Sequence, residues 1–178
     1  MLSHSDTDCQ IPCLQAIAVE NAEMPRQSPV QRLKFFIRRR MTPSQERKFK
    51  TKSNTLINRL LSVFGRPTKP TAPPVVSAHL EAGDLVRVKS EEEIAATLNH
   101  WRQLKGCTFM PEMVRFCGTT HPVLKPLRRF VDERDLRTKK CTGIVLLEGA
   151  ICQGTAAFGP CDRCCFLFWR EEWLEKIA

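Results

Sequence analysis

From Leu85 the sequence alternates apolar and basic residues, Leu85-Val86-Arg87-Val88-Lys89, after the turn pair Gly83-Asp84. This period of two predicts a half-buried strand. Ser90 then precedes Glu91, Glu92 and Glu93, a capping box with acids at the positive end of the helix dipole. The helix it opens carries Ile94, Leu98 and Trp101 on one stripe. Pro111 to Gly118 predicts a turn or two of helix with a glycine stop. Val123 to Val131 predicts strand broken by Pro126, a residue suited only to an edge or a bulge. The run Ile144-Val145-Leu146-Leu147 is apolar on both faces and predicts an interior strand, with Ala150-Ile151-Cys152 as further strand. Phe166 to Ile177 predicts a closing helix with Trp169, Trp173 and Ile177 on one face.

Upstream the pattern differs. Residues 1–40 carry no sustained period, hold Pro12, Pro25 and Pro29, and are expected to be disordered. Thr42 followed by Pro43 predicts a helix start. A basic amphipathic helix is expected over 41–65, with Leu56, Leu60 and Phe64 in one stripe and Gly65 at its end. Four prolines between Pro67 and Pro74 predict a stiff linker over 66–78. The cysteine-rich domain follows over 79–178. Because Met41 abuts a well-formed helix start, it is an expected alternative translation start.

Together these elements predict an α+β fold: a small SH3-like antiparallel β-barrel or roll, with helical inserts and a C-terminal helix. A basic, partly helical N-terminal arm precedes it. The Gly-Asp-x-Val-x-Val opening resembles the first strand of SH3-like barrels.

The net charge of +9 over 178 residues is uneven. Residues 1–24 carry −4, residues 25–70 carry +12, and residues 78–178 carry +1. The basicity belongs to the arm, so residues 32–59 are the expected contact for an anionic surface, membrane or nucleic acid. An acidic protein partner is the other expectation. No apolar run reaches the ~20 residues of a membrane-spanning helix, and a cytoplasmic location is expected.

Seven of the nine cysteines fall between Cys107 and Cys165. In a reducing compartment this density points to metal binding or thiol chemistry rather than a disulfide framework. Cys161-Asp162-Arg163-Cys164-Cys165 offers a C-x2-C pair, or Cys161 with Cys165 one helical turn apart, at a predicted helix N-terminus that would favour thiolates. Cys152 lies nine residues upstream, just before Gly154. Cys117 is the best remote candidate; Cys107 and Cys141 are weaker, and His121 could substitute. Four thiolates suit Zn²⁺ or a [4Fe–4S] cluster equally, with Arg115, Arg163 and Arg170 near in sequence to offset the charge. Glu171 and Glu172 read as exposed helix carboxylates. The chain has no P-loop, nucleophile elbow or dinucleotide-binding glycine pattern.

Longer motifs connect these features: Gly83-Asp84-Leu85-Val86-Arg87-Val88 with Ser90-x-Glu92-Glu93-Ile94; Phe109-x-x-Glu112-Met113-x-x-Phe116-Cys117-Gly118; Leu147-Glu148-Gly149-x-Ile151-Cys152-x-Gly154; and Cys161-x-Arg163-x-Cys165-x-x-Phe168-Trp169-Arg170-Glu171-x-Trp173-Leu174. Over about residues 81–177 the chain resembles a family of small uncharacterised bacterial proteins. The resemblance implies no activity. It does imply Cys117, Cys152, Cys161 and Cys165 as the set of four, with Cys164 a local extra. The expected function is thus a metal-binding accessory or interaction protein with a structural four-Cys centre. An iron–sulfur or thiol-dependent enzyme or electron-transfer protein is the alternative, and a nucleic-acid-binding module using the basic arm is the second.

Overall fold

The computed structural model describes residues 27–64, 79–133 and 135–177. The expected linker and the first 26 residues lie outside them.

Two capped helices open the described chain. α1 spans Pro29–Arg40 and α2 spans Pro43–Val63. Ser28 and Thr42 each accept a hydrogen bond from the backbone N–H three residues on, while Gln31 and Gln45 reach back to the cap N–H. Both starts are thus reciprocal boxes with proline at the first helical position. α2 coincides with the expected helix. α1 corrects the expectation for residues 29–40: its apolar positions Val30, Leu33, Phe36 and Ile37 are helically spaced, within a stretch whose prolines precede or open the helix rather than interrupt it. Neither helix has a buried residue. Each touches the rest of the chain at a few points. Phe35 packs on Phe158 at 5.1 Å and Phe49 on Trp101 at 6.0 Å, and the Trp101 indole N–H donates to Ser53 Oγ at 3.2 Å.

The body of the fold is an antiparallel sheet of β1 (Leu85–Val88), β4 (Thr120–Pro126), β7 (Ile144–Leu147), β10 (Trp169–Arg170) and β11 (Leu174–Lys176). Their order is β10-β7-β4-β1-β11. Short hairpins decorate it: β2 (Gln103–Leu104) with β3 (Cys107–Thr108), β5 (Arg129–Asp132) with β6 (Arg137–Lys140), and β8 (Gly154–Thr155) with β9 (Gly159–Pro160). The mixed helix-and-strand character agrees with the expectation, and the strand at Leu85 buries Val86 and Val88 as its alternation requires.

The two edge strands are consecutive in sequence. β10 and β11 are joined only by the 3₁₀ turn Glu171–Trp173. Five flat strands would set the edges about 19 Å apart at ~4.8 Å per interval. Four residue steps span at most about 14 Å, and a 3₁₀ turn far less. The sheet therefore curls until its edges approach. A register shift between Val123 and Lys125 in the β4–β7 pairing adds local twist, and Pro126 closes β4 beside it. Among the described residues β10 and β11 do not pair, so no closed barrel forms.

The expected closing helix over Phe166–Ile177 is corrected by this arrangement. Trp169 and Arg170 pair with β7, and Leu174 to Lys176 pair with β1. Strand–turn–strand buries Trp169 and Trp173 as well as a helical stripe would, and it satisfies the open ladders of two strands. Ile177, expected on the same face, is exposed.

Inside the curl, Phe109 stands edge-on to both tryptophans, at 6.5 Å from Trp169 and 5.5 Å from Trp173. Val86, Val88, Val123, Val145 and Leu147 line the sheet side, and Ile94 and Leu98 come from α3 (Glu91–Thr97) and its end. Pro111–Phe116 forms a 3₁₀ helix carrying Met113 and Phe116 into the same core. The buried Trp173 indole N–H donates to Thr97 Oγ1 at 3.1 Å. Replacing Thr97 by Val leaves that donor without a partner and is expected to cost about 1–3 kcal/mol in urea denaturation. A change under about 0.3 kcal/mol would show the bond to be dispensable.

Candidate functional site

Two regions carry chemistry. The first is the cysteine lobe, residues 151–167. Ile151 bridges Phe166 in antiparallel register, and the Cys152 N–H donates to the Cys165 carbonyl at 2.7 Å. Cys152 and Cys165 are therefore direct cross-strand neighbours, a relation that puts Cβ atoms about 5 Å apart on one face. The Cys161 N–H donates to the Gln153 carbonyl at 3.1 Å, placing Cys161 one step away. The Gly154 N–H lies 3.4 Å from Cys152 Sγ. Gly154 itself has φ +108° and passes so near β9 that a Cβ there would meet the Gly159 carbonyl oxygen at 2.1 Å.

Cys117 stands apart. It is half-buried against the core, and its thiol is pushed up by burial and by the charges of Glu91 and Glu92. Its link to the lobe is indirect: Arg115, two residues earlier, donates to the Ile151 carbonyl at 2.9 Å and to Gln153 Oε1 at 2.7 Å. Cys164 is exposed, with φ +54°. Among the described residues no three His, Cys, Asp or Glu side chains converge on one point. The backbone thus sets Cys152 opposite Cys165 and Cys161 opposite Gln153, without bringing three thiols to one point, and Cys117 stands outside this set.

The three arginines expected to balance a thiolate centre all have other partners, Arg115 the Ile151 carbonyl and Gln153. Arg163 forms a two-pronged pair with Glu133 at 3.0 and 2.6 Å, although Cys165 and Cys161 lie close enough to raise its pKa. Arg170 pairs with Glu172. The helix expected over Phe166–Ile177 is absent, so no helix N-terminus serves these sulfurs. His121 is held by Thr119 Oγ1 and the Glu148 carbonyl.

The second region was not foreseen. Glu171 and Glu172, expected as exposed carboxylates, are 6% and 2% exposed. Arg170 donates to Glu172 through Nε at 2.9 Å and Nη2 at 2.7 Å, and Lys105 Nζ adds a bond of 2.6 Å. Arg170 Nη1 also donates to the Thr142 carbonyl, which requires Gly143: a Cβ there would lie 2.9 Å from Nη2. Burial works to raise the Glu172 pKa, but the hydrogen bonds from Arg170 and Lys105 overcome it and hold the group at about 2. The clue in the sequence was charge flanked by two core tryptophans, which leaves the intervening residues no route to solvent once the chain turns.

Beside this pair the 142–144 turn, β5 and β6 enclose adjoining clefts of about 450 Å³ and 630 Å³ that share Cys141, Thr142 and Glu171. Cys107 and Cys141 border the larger. Burial pushes the Cys107 thiol up to about 11, with Glu172 and Cys141 adding to it against Arg170, and burial also raises Cys141. Both are held as thiols, unsuited to nucleophilic attack.

Among the described residues no helix is long and apolar enough to cross a membrane. Comparison of the chain with protein-family models, with curated protein sequences and with solved structures finds no match.

Glu172 generates a pH prediction. Its folded pKa lies below the ordinary 4.5, so its stabilisation is complete above about pH 5 and is lost as the pH falls from 4.5 towards 2. Glu172→Gln leaves Arg170 buried without its counter-charge and is expected to cost about 3–5 kcal/mol at pH 7. The variant's stability should also lose part of the acid dependence, read by denaturation at pH 3 and pH 7. Parallel profiles for both proteins would contradict the assignment.

Proposed function

We propose that the chain is a metal-binding accessory or interaction protein whose cysteine lobe is stapled by one centre. The observation that carries this reading is the cross-strand opposition of Cys152 and Cys165, with Cys161 on the adjoining step. A second support is how little else holds the lobe. Residues 161–166 are all exposed, and β8 and β9 are two residues each. A segment with so little apolar burial gains order from ligation instead. Cys152, Cys161 and Cys165 supply three thiolates, and Cys117 is the fourth, reached by a shift of the turn that Arg115 already ties to the lobe. The centre is zinc or a [4Fe–4S] cluster; the first is colourless, the second brown. The raised thiols at Cys107 and Cys141, which border the larger cleft, weigh against a thiol-dependent enzyme there.

The curled sheet is read as an SH3-like roll. Its support is the strand order, with the last two strands at opposite edges and a 3₁₀ turn between them.

Anaerobic purification with metal analysis tests the centre. Cys152→Ser, Cys161→Ser and Cys165→Ser are each expected to lose at least half of the bound metal, Cys117→Ser likewise, and Cys164→Ser none. Full metal content in the first four variants, or no metal in the parent protein, would end the proposal.

A second reading concerns the arm. On α1 the residues Val30, Leu33, Phe36 and Ile37 form one exposed apolar face, flanked by Arg32, Arg38 and Arg39, with the Arg40 guanidinium over the Phe36 ring at 4.3 Å. Apolar residues beside cations suit an anionic lipid interface better than nucleic acid, which needs no such face. Cosedimentation with vesicles containing 30% anionic lipid is expected, with Leu33→Glu/Ile37→Glu abolishing it. Binding unchanged in that double variant would refute the lipid reading.

A further inference from the structure

Two charge features of the smaller cleft have no counter-charge among the described residues. Glu171 is 6% exposed and lines the cleft, yet its side chain makes no hydrogen bond or ion pair among the described residues. Its neighbour Glu172 takes both Arg170 and Lys105. The Glu171 carboxylate oxygens are not sealed in the interior but open to the cleft, where a donor can reach them. The same cleft is lined by Arg129 of β5, which stands directly opposite Lys140 of β6. Like charges at opposed cross-strand positions destabilise a hairpin. Neither side chain has an acidic partner among the described residues, although the same hairpin pairs Lys139 with Asp135.

A group that answers both features must present a cation to Glu171 and an anion between Arg129 and Lys140. We propose that this cleft binds a small zwitterion, a primary amine carried a few bonds from a carboxylate or phosphate. The ammonium donates to the Glu171 carboxylate, and the anion sits against the Arg129 guanidinium and the Lys140 ammonium. The cleft's volume of about 450 Å³ admits a molecule of metabolite size. Leu80, Leu127 and Ile144 line it as well, so the intervening carbons meet an apolar surface. The ligand supplies each feature with the counter-charge that it lacks among the described residues. The site is separate from the cysteine lobe and does not depend on a metal there.

The test is calorimetric titration of the full chain with four probes. β-Alanine and O-phosphoethanolamine carry both charges and differ in the anion. Ethanolamine lacks the anion, and inorganic phosphate lacks the amine. Saturable binding of at least one zwitterion is expected, tenfold or more tighter than ethanolamine or phosphate, and the stronger of the two identifies the anion. Glu171→Gln is expected to weaken it at least tenfold, as loss of a charged hydrogen bond does. Arg129→Gln/Lys140→Gln is expected to weaken it similarly. The melting temperature separates binding from folding. Glu171→Gln removes a charge that has no partner among the described residues, so the ligand-free variant should melt at or above the parent. No saturable binding of either zwitterion, ethanolamine or phosphate binding as tightly, undiminished binding by Glu171→Gln, or a melting temperature lowered in that variant would each overturn the inference.

Discussion

The joining of β10 to β11 through three residues governs this fold. Once Trp169–Arg170 pairs with β7 and Leu174–Lys176 pairs with β1, the two edges of a five-stranded sheet are tethered by Glu171–Trp173. The sheet must curl, and the curl creates the space that Phe109, Trp169 and Trp173 fill. It also decides the fate of Arg170, Glu171 and Glu172. In a helix they would face water; in a turn pinched between two buried tryptophans they cannot. Glu172 is stabilised by Arg170 and Lys105, Gly143 leaves room for the guanidinium, and Glu171 is left facing the cleft. One topological constraint thus produces the core, a buried ion pair and a polar-walled recess.

Against that core the cysteine lobe is lightly built. Leu167 and Ala150 anchor its ends in the hydrophobic cluster, while the residues between are largely exposed and held by a few backbone bonds. Ion pairs such as Arg163 with Glu133 tether it from outside, and exposed pairs of this kind add little. The lobe therefore has its shape specified by register and glycine placement, as at Gly154, and its order left to something that the chain's apolar burial does not provide.

Local signals in the sequence were read well where the determinant is local. The capping boxes at Thr42 and Ser90, the alternation at Leu85–Val88 and the doubly apolar run Ile144–Leu147 act within a few residues, and the corresponding elements form. α1 was obscured by neighbouring prolines, although Ser28 and Gln31 spell the same box as Thr42 and Gln45. The segment after Phe166 failed for a different reason. An i, i+4 pair of tryptophans fits a helix and a strand–turn–strand equally, and only the unpaired ladders of β7 and β1, about 25 and over 80 residues earlier respectively, favour the second. The same non-local pairing set Cys152 against Cys165, a neighbour relation that no spacing rule contains, and left Cys117 on the other side of its turn.

We propose that ligation by Cys152, Cys161 and Cys165, with Cys117 as the fourth, orders a lobe that the core does not. Hydrogen exchange of the Cys152 and Cys161 amides, compared in anaerobically purified protein before and after chelation, is the decisive measurement. The account predicts strong protection before chelation and exchange near the unprotected rate after it, with Val86 and Val145 unchanged. Equal protection of the lobe in both samples would contradict it.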